Sequence, residues 1–535
     1  MPRFLGIAWL GVIILGLATF LFVRGSSLFP IGCQDENQVV ENGNAADASS
    51  RKAPPPKFLE WSKPTAVLVL TGNQNGYLEP CGCSEKQAGG MARRGNLFQQ
   101  LREKGWPTVG LDVGGTVQRT RAQTRLKFAA ITDAMREMDY RALGLGAAEL
   151  RLSPIFLLSE HVAPPEGETG LTFLGSNEVF LDTPDLPGGP EDKTIIELEG
   201  LRIGVAMVLG ESEQQGLFPE GSSTDVSFTP PREALEKVLP EFEAAKTDMN
   251  VLLCSANLEE SRSLAEAFPQ FDLVVSSGGP EDPAGQLEEV GETRMVTVGK
   301  KGKYAGVLAI YTEEGNPKLE YELVEMNQDH FAHDKSMDAI MRDYQQSLKD
   351  SMHEVFQNLS EGSPPKGGEY VGAETCGQCH TQAFAKWKTS AHANAYESLI
   401  KGRDHFEGTW TPRNYDPECL SCHVTGWNPQ EMFPYSSGFL PKELADERGQ
   451  PERHELLKGQ QCENCHGPGR SHSEVMAQWA KSPKSVSREE QAAARAAMTI
   501  KLDRAQCMQC HDGENSPEFD LMEYWKKIDH RGMRN

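Results

Sequence analysis

Four copies of the pentad Cys-X-X-Cys-His occur in the last third of the chain, and they constrain its fold more than any other feature. They begin at residues 376, 419, 462 and 507, so successive copies start 43, 43 and 45 residues apart. Little other similarity links the intervals, which indicates one packing unit for each pentad and not a duplicated sequence.

Each pentad carries the chemistry of a c-type haem attachment site. Its two thiols can form thioethers with the haem vinyl groups, while the following histidine reaches the iron. Zinc is the competing interpretation, but zinc does not require a histidine directly after every second cysteine. We therefore expect four covalently bound haem c groups. The predicted thioether cysteines are Cys376, Cys379, Cys419, Cys422, Cys462, Cys465, Cys507 and Cys510, and the predicted proximal iron ligands are His380, His423, His466 and His511.

Length and charge narrow the class of protein further. At 535 residues the chain exceeds a single typical core, so two or three domains are expected. The formal net charge is −24, and most of the acidic excess lies before residue 366. This balance disfavours nucleic acid and anionic membrane surfaces as partners, since both would repel the chain.

The amino terminus is apolar. The segment Phe4 to Val23 contains no charge and is long enough to cross a bilayer. We assign residues 1–33 to a membrane anchor or signal segment, with a retained transmembrane helix favoured over a cleaved signal or a lipoprotein modified at Cys33. All three interpretations place the bulk of the chain outside the cytoplasm, in the periplasm, and covalent haem attachment suits such an oxidising compartment.

The next segments read as a tether and an α/β domain. Residues 34–63 have no apolar period and contain three consecutive prolines, which predicts a flexible tether. Between residues 64 and 330, apolar runs alternate with helical patterns, as is typical of an α/β fold. The predicted strands are Ala66–Leu70, Thr108–Leu111, Ile203–Val208, Val251–Leu253, Leu273–Val275 and Val307–Tyr311, and the predicted helices are Gly95–Lys104, Thr124–Met138, Arg232–Lys246 and Ser261–Phe268.

A linker and the pentad domain complete the chain. Residues 335–360 have apolar side chains mostly three or four positions apart, which predicts one amphipathic helix packed against either neighbouring domain. We assign residues 331–368 to this linker helix and a following loop, and residues 369–535 to a tetrahaem domain. That domain is expected to be mainly α-helical and rich in turns, without strands, because the haems supply much of its apolar core.

Residues 370–532 resemble the tetrahaem cytochrome c-554/c-prime family. The motifs that carry the resemblance extend beyond the pentads: Trp387, Ser390, His392 and Ala395 after the first, Val424-Thr-Gly426 after the second, Gly467-Pro-Gly469 and His472 after the third, and Ser516-Pro517, Phe519 and His530 after the fourth. The resemblance implies three haems with two histidine ligands and one five-coordinate haem, on Cys419 and Cys422. The matching distal ligands are His392, His472 and His530, whereas His405 and His454 match nothing and are expected at the surface.

Residues 65–315 resemble the calcineurin-like metallophosphatases of the 5′-nucleotidase family and their thiosulfate-processing relatives. The resemblance is carried by Leu70–Glu79, Gly89–Leu97, Leu111–Gly115, Leu143–Glu149 and Asp272–Val275. Such enzymes hold two metal ions with Asp, Asn and His side chains, so that a bridging hydroxide can attack phosphorus. The resemblance implies an α/β sandwich.

This chain lacks the ligands of that family. Its departures are Asn73 and Asn75 in place of Asp and His, Gly115 in place of the bridging Asp, and Ala147-Ala148 in place of Asn-His; two further histidine loops align near Ser255–Ala256 and Ser277–Pro280. His161 is the only histidine between residues 34 and 329. A dinuclear centre that needs several imidazoles cannot be assembled from one. We interpret the domain as a hydrolase fold without its metal chemistry.

Besides Cys33, three cysteines lie outside the pentads. Cys81 and Cys83 form a Cys-X-Cys pair that can bind a metal or close a small disulfide, and Cys254 in an apolar strand is expected to be a buried thiol. The sequence does not assign a disulfide among the three.

These features predict a membrane-anchored, periplasmic-side tetrahaem cytochrome that transfers electrons between a donor protein and an acceptor protein. The alternative is an oxidoreductase acting on a small nitrogen species at the five-coordinate haem. A metal-dependent phosphoesterase-type hydrolase is disfavoured, because it requires a metal site that the sequence does not contain.

Overall fold

The computed structural model describes residues 53–80, 87–119, 121–161, 169–218, 225–312, 317–357, 359, 361–365, 368–402, 406 and 408–533. The predicted anchor, residues 1–33, and the tether as far as residue 52 lie outside these residues, as do Cys81, Cys83 and His405. Within the described part of the chain, no helix combines the length and apolar character needed to cross a membrane.

Strands and helices alternate through the first part of the chain, and short helices follow. The strands are β1 Ala66–Thr71, β2 Thr108–Asp112, β3 Tyr140–Gly144, β4 Thr172–Leu174, β5 Glu178–Phe180, β6 Lys193–Leu198, β7 Leu201–Leu209, β8 Val226–Phe228, β9 Met249–Ser255, β10 Leu273–Ser276, β11 Glu288–Val290, β12 Thr293–Thr297, β13 Tyr304–Tyr311, β14 Lys318–Glu325, β15 Trp427–Asn428 and β16 Phe433–Pro434. The helices are α1 Met91–Glu103, α2 Ala122–Met138, α3 Ala147–Leu150, α4 Pro154–Glu160, α5 Glu211–Gln214, α6 Pro231–Ala245, α7 Leu258–Ala267, α8 Ser336–Asp350, α9 Met352–Gln357, α10 Ala373–Gly377, α11 Thr381–Lys388, α12 Ala395–Lys401, α13 Pro417–His423, α14 Lys442–Glu447, α15 Glu452–Glu455, α16 Cys462–His466, α17 Arg470–Lys481, α18 Arg488–Ala496, α19 Arg504–Met508 and α20 Leu521–Ile528.

Two six-stranded sheets form the centre of the α/β domain. The first has the strand order β14-β13-β1-β2-β3-β4 and the second β11-β12-β10-β9-β7-β6. Side chains alternate between the two faces of a strand, so Leu68 and Leu70 of β1 point into the core between the sheets, whereas Val67 and Val69 point to the outer helices. Both faces are buried, which explains why β1 reads as a continuous apolar run.

Helices cover the outer face of each sheet, which gives a four-layer sandwich. Phe98 of α1, Ile131 of α2 and Leu348 of α8 belong to the core on the first sheet. Leu235 of α6 and Leu264 of α7 belong to the core on the second. The predicted α/β sandwich, with each of its six predicted strands and four predicted helices, is confirmed, and the bounds shift by at most a few residues.

The carboxyl ends of several strands meet at one edge of the sandwich. β1, β2 and β3 run parallel in the first sheet, and β7, β9 and β10 run parallel in the second. The loops after these strands therefore converge, and Asn73 after β1 donates hydrogen bonds from Nδ2 to the carbonyls of Ser277, at 2.8 Å, and Gly299, at 3.0 Å. This edge faces the pentad domain.

The end of the predicted tether is folded onto the sandwich. Lys57–Glu60 form a 3-10 helix, and Phe58 is fully buried in the core. The amides of Lys57 and Phe58 donate to the carboxylate of Glu322, at 2.9 and 2.7 Å. Phe58, together with the partly buried Trp61, attaches this stretch to the core, which the polar composition of residues 34–63 did not indicate.

The linker is two helices and not the single helix that its periodicity predicts. α8 and α9 are separated by Ser351, whose ψ of 15° departs from the helical value of about −42°. Tyr344 of α8 packs in the core with α2, while the ring of Phe356 in α9 lies 5.9 Å from that of Trp427. The linker therefore packs against both domains, and one continuous apolar core extends from the sandwich into the pentad domain.

The pentad domain is built of short helices, as expected. The prediction that it contains no strands is wrong in one place, where β15 and β16 form a two-stranded ladder. Trp427 and Phe433 are its apolar residues, and they form a local platform beside α13.

One buried carboxyl in the sandwich predicts a pH-dependent stability. Glu178 is fully enclosed, neither carboxyl oxygen has a hydrogen-bond partner among the described residues, and burial raises the pKa of Glu178 well above its usual range. Because the raised pKa favours the protonated folded form, this stabilisation is complete below the ordinary carboxyl pKa and is lost as pH rises through the folded-state value.

We expect Glu178→Gln to increase the free energy of unfolding by about 1–3 kcal/mol at pH 8–9 and to change it little at pH 4. Denaturant unfolding at both pH values, compared with the exposed control Glu137→Gln, measures the difference. An equal effect of Glu178→Gln at both pH values would contradict a protonated Glu178.

Candidate functional site

Each pentad lies at a short helix that brings its cysteines and histidine to one side. The amide of His380 donates to the carbonyl of Cys376, and that of His511 to Cys507, both at 2.9 Å. Such a bond closes one helical turn, which stacks residues four apart along one face. The second pentad lies entirely within α13, whose N-cap is Asp416.

Three of the four pentad histidines face a second histidine. The ring centroids of His380 and His472 lie 6.3 Å apart with planes 19° from parallel, those of His511 and His392 lie 6.1 Å apart, and those of His466 and His530 lie 5.9 Å apart. Two metal–nitrogen bonds of about 2 Å each, together with the distance from each nitrogen to its ring centre, give roughly 6 Å. Each pair is therefore spaced to hold one metal ion between its rings.

His423 has no histidine opposite it in the described part of the chain. Its Nδ1 donates to the carbonyl of Ala395 at 2.7 Å and lies 3.3 Å from Ser398 Oγ. Its ring lines a large cavity and is half-buried.

Hydrogen bonds at Nδ1 orient most of these rings. Because a carbonyl oxygen only accepts, Nδ1 of His466, His472 and His530 must donate to Thr499, Ala494 and Ile528 respectively. His511 Nδ1 pairs with the hydroxyl of Ser516 at 2.9 Å. These bonds leave Nε2 to bind a metal, which is the arrangement that orients histidine ligands in metal sites.

The pentads lie side by side in a definite order. Contact between the thiols of Cys376 and Cys462 joins the first pentad to the third, and contact between the thiols of Cys422 and Cys510 joins the second to the fourth. Gln506, which directly precedes Cys507 of the fourth pentad, donates from Nε2 to the carbonyl of Cys465 in the third, at 3.3 Å. The order of neighbours is therefore first, third, fourth, second.

The surroundings of the pentads fit a large apolar group. Helices α17, α19 and α20 bury none of their described residues, although α17 and α20 are amphipathic. A cavity of about 1470 Å³ is lined by Cys419, Cys422 and His423 of the second pentad and by Cys510 and His511 of the fourth. Paired thiols, oriented imidazoles and the exposed apolar faces of these helices together suit covalently attached haem.

One further prediction concerns His454, and three tryptophans also lie near the pentads. The expected surface position of His454 is wrong: the ring is 8% exposed, packs against Phe439 and donates from Nδ1 to the carbonyl of Leu440. Trp427 and Trp525 line the cavity, while Trp387 donates its indole N–H to the carbonyl of Gln460 at 2.8 Å.

The converging loops of the sandwich do not fit a dinuclear metal centre. Asn73 uses its amide to join two loops, and Asn75 Oδ1 accepts from the amide of Lys301 at 3.2 Å. A Cβ atom at Gly115 would lie 2.6 Å from Asn73 Oδ1, so a bridging carboxylate has no room there. The described residues contain no group of three or more His, Cys, Asp or Glu side chains arranged for a metal ion.

A buried carboxylate joins these loops instead. Glu149 accepts hydrogen bonds from the amides of Gly115, at 3.1 Å, Thr116, at 2.6 Å, and Gly146, at 2.9 Å, and from the Thr116 hydroxyl. Burial nevertheless raises the pKa of Glu149. Glu149 therefore connects the loops after β2 and β3 without a metal ion. Its position within Leu143–Glu149 was noted from sequence, but its role was not.

Cys254 is a buried thiol, as predicted. It lies in β9 and is fully buried, and burial raises the pKa of Cys254 to about 12. Such a thiol remains protonated and unreactive.

Polar side chains of the sandwich and linker hold the second pentad. Asp416 accepts from Gln123 Nε2 at 2.7 Å and from Gln345 Nε2 at 3.2 Å, and Lys127 Nζ lies 2.6 Å from Glu418 Oε2. Gln123 and Lys127 belong to α2 and Gln345 to α8, whereas Asp416 and Glu418 directly precede Cys419. No local sequence signal indicated this cluster, because its members come from three separate elements.

The fourth pentad is held at the same edge of the sandwich. Glu514 accepts from the hydroxyl of Tyr77 at 2.7 Å and pairs with Lys301 Nζ, also at 2.7 Å. Glu79 pairs through both carboxylate oxygens with Arg413. The loops that resemble a metallophosphatase active site are therefore covered by the second and fourth pentads.

The site and fold define a two-part protein: a four-layer α/β sandwich whose described residues form no metal centre, joined to a helical c-type cytochrome region. Residues 375–467, which contain the first three pentads, match the cytochrome c554 and c-prime family. A segment of 121 residues, 22% of this chain, is 31% identical to cytochrome c-554 of Nitrosomonas europaea and covers 43% of that protein. The chain thus matches less than half the length of this relative. The resemblance supports a c-type cytochrome electron carrier with covalently bound haem.

Two solved structures are similar to the chain at low sequence identity. A 5′-nucleotidase precursor from Thermus thermophilus has a TM-score of 0.45 at 20% identity, over 58% of this chain and 62% of that one. The sulfate thiohydrolase SoxB from Thermus thermophilus has a TM-score of 0.45 at 16% identity, over 63% and 68%.

Proposed function

We propose that this protein is a tetrahaem c-type cytochrome that transfers electrons between redox partner proteins. The observation that carries the proposal is the set of three histidine pairs whose ring centroids are 5.9 to 6.3 Å apart. A bound haem c group takes up and releases one electron at its iron, at a potential set by its axial ligands and surroundings. An iron held by two histidines has no coordination position left for a substrate, so three such sites suit electron transfer.

The ligand sets follow from these pairs. We assign His380 with His472 to the first haem, His466 with His530 to the third and His511 with His392 to the fourth. His423 alone is assigned to the second haem, which leaves that site five-coordinate. The Nδ1 hydrogen bonds to Thr499, Ala494, Ile528, Ser516 and Ala395 support these assignments, because each leaves Nε2 for the metal.

The contacts between pentads support a linear path. The order first, third, fourth, second runs from the first pentad, which is flanked by the exposed Glu374 and Thr381, to the cavity against the sandwich. We propose that the donor or acceptor protein docks at the exposed end near the first pentad. Tyr77, Lys301 and Lys127 hold the opposite end in place through Glu514 and Glu418.

We place the protein outside the cytoplasm, in the periplasm, and we propose that the apolar segment Phe4 to Val23 anchors it to the membrane. The support is the need for haem attachment in an oxidising compartment and the charge-free length of that segment. Fractionation of cells that express the full chain, with and without residues 1–33, tests the anchor.

The ligand assignment predicts how many low-spin and high-spin ferric sites the oxidised protein contains. We expect electron paramagnetic resonance of the oxidised protein to show three low-spin ferric sites and one high-spin site. His472→Ala should convert one low-spin site to high-spin, because His380 would lose the ring that faces it.

The matched control is His353→Ala, since His353 is half-exposed and its ring nitrogen lies 3.5 Å from the carboxylate of Glu447, far from any assigned haem ligand in sequence. His353→Ala should leave the count unchanged. Four low-spin sites in the unmodified protein would contradict the assignment of His423, and an unaltered count in His472→Ala would contradict that of His472.

A second function is favoured by one observation, the half-buried His423 ring facing a cavity without an opposing histidine in the described chain. An open coordination position there suits an oxidoreductase that acts on a small nitrogen species. Turnover of such a species by the reduced protein, abolished by His423→Met, tests it. A phosphoesterase activity gains no support, because the sandwich loops do not fit a dinuclear metal centre.

A further inference from the structure

The cavity beside the second pentad has walls from two domains. His423 and Cys419 line it from the pentad side, while Asn75, Tyr77 and Lys127 line it from the sandwich. Residues 75–77 belong to the loop after β1, at the edge where the resembled phosphatases hold metal. The sandwich therefore contributes directly to the surroundings of the iron site assigned as five-coordinate.

The carboxylates of this cavity already have partners. Glu79 pairs with both terminal nitrogens of Arg413, and Glu418 pairs with Lys127. Asp416 accepts from Gln123 and Gln345 and from the amide of Glu418. The acceptors in the wall are thus largely used.

The donors are not. Lys127 is 7% exposed, and the described contacts use one of the three N–H bonds of its ammonium group. Arg413 Nε is buried without a hydrogen-bond partner among the described residues. Among the described residues of this wall, Gln345 Oε1 is the one buried acceptor that lacks a partner. The remaining hydrogen-bonding capacity therefore favours a ligand that accepts.

Lys127 also keeps its charge in this position. Burial alone would lower the pKa of Lys127, but Glu418 and Asp416 outweigh burial and raise it. A buried ammonium group with unused donors binds anions more strongly than an exposed one, because charge-assisted hydrogen bonds strengthen where water is excluded.

We propose that this interdomain cavity binds a small inorganic anion at the open coordination position opposite His423, and that Lys127 of the sandwich supplies hydrogen bonds to the anion's outer atom. The proposal rests on the five-coordinate assignment of the second pentad. It gives the metal-free sandwich a role as one wall of a haem pocket, and it selects ligands with a lone pair at each end.

The test uses the full-length protein with its haems and azide as the probe. Azide is titrated into the oxidised protein, and the conversion of the high-spin signal to low-spin gives its dissociation constant. Lys127→Met should weaken azide binding at least tenfold, whereas Lys127→Arg should retain most of it. Carbon monoxide, a neutral probe, should bind the reduced forms of all variants within twofold of the original affinity.

Two further variants keep the test decisive if Lys127→Met does not fold. Glu418→Gln removes the carboxylate that competes for Lys127 and should tighten azide binding severalfold. Lys442→Met is the control, because Lys442 forms an equally short pair with Asp446, at 2.6 Å, but is 61% exposed and does not line the cavity. It should leave azide binding unchanged.

The outcomes test the five-coordinate assignment of the second pentad separately from the role of Lys127. If the unmodified protein has no high-spin site that azide converts, the five-coordinate assignment fails and this inference fails with it. If that site exists but Lys127→Met and Glu418→Gln bind azide as the original does, only the role of Lys127 is overturned. A parallel loss of azide and carbon monoxide binding in Lys127→Met also overturns it, since a distorted pocket would affect both probes.

Discussion

Replacement of Cys419 and Cys422 by serine is expected to remove one haem and, with it, the entire high-spin ferric signal. Both cysteines belong to α13, and without their thiols no thioether can hold a haem against His423. The haem content, measured by the pyridine haemochrome assay, should fall from four to three for each chain. The remaining three sites should all be low-spin, because each retains two facing histidines.

The matched control is the same double substitution at Cys462 and Cys465. This variant should also lose one haem, but it should keep the high-spin signal, because His423 and both cysteines of its pentad are unaltered. Loss of the high-spin signal from the Cys462/Cys465 variant, or its retention in the Cys419/Cys422 variant, would show that the open site belongs to another pentad. Intact mass of both variants confirms that a single haem is missing.

Glu149→Ala is expected to destabilise the sandwich strongly. The substitution leaves the amides of Gly115, Thr116 and Gly146 without their acceptor at the point where two loops meet. Each buried donor left unsatisfied costs about 1–3 kcal/mol, and water will satisfy part of the set, so we expect a loss of at least about 3 kcal/mol. For a domain of this size that corresponds to a fall of roughly 6–12 °C in the midpoint of thermal unfolding.

Circular dichroism of the full-length protein, scanned with temperature, measures this change. Glu137→Ala in α2 is the control, since Glu137 is exposed, and its midpoint should change little. The midpoint of Glu149→Gln should lie between those of Glu149→Ala and Glu137→Ala, because a carboxamide keeps one acceptor oxygen. An unchanged midpoint for Glu149→Ala would contradict the structural role of this carboxylate, as would stoichiometric binding of a divalent metal ion that protects the original protein.

Burial separates several of the strands that the sequence predicted from the edge strands that it missed. β1, β7, β9 and β13 were predicted because interior strands bury both faces and read as apolar runs. β14 and β6 are edge strands that carry Lys and Glu side chains on partly exposed faces, so their composition resembles that of a loop. The division of the linker at Ser351 was also missed, because its apolar period continues through that residue.

For the candidate site as well, features that depend on neighbouring residues were predicted from sequence, and features that depend on distant residues were not. A pentad is a local unit, so its cysteines and histidine can be recognised wherever they occur. The choice of His472, His392 and His530 as distal ligands came from a family resemblance, and neither spacing nor composition indicated which pentad each one faces. His454 shows the limit of such reasoning, since a histidine without a matching motif is buried in the core beside Phe439.

The amino-acid sequence by itself determined the number of pentads, their thiols and their first histidines, because one helical turn is enough to bring those atoms to one side. It also determined that the sandwich lacks the side chains for a dinuclear metal centre, because residue types absent from a chain cannot be supplied by folding. Only the tertiary structure decided which histidines face each other, which pentads are neighbours and that the sandwich closes a cavity beside His423. Those arrangements depend on contacts between residues far apart in the chain, and such contacts form only when the separate elements pack together.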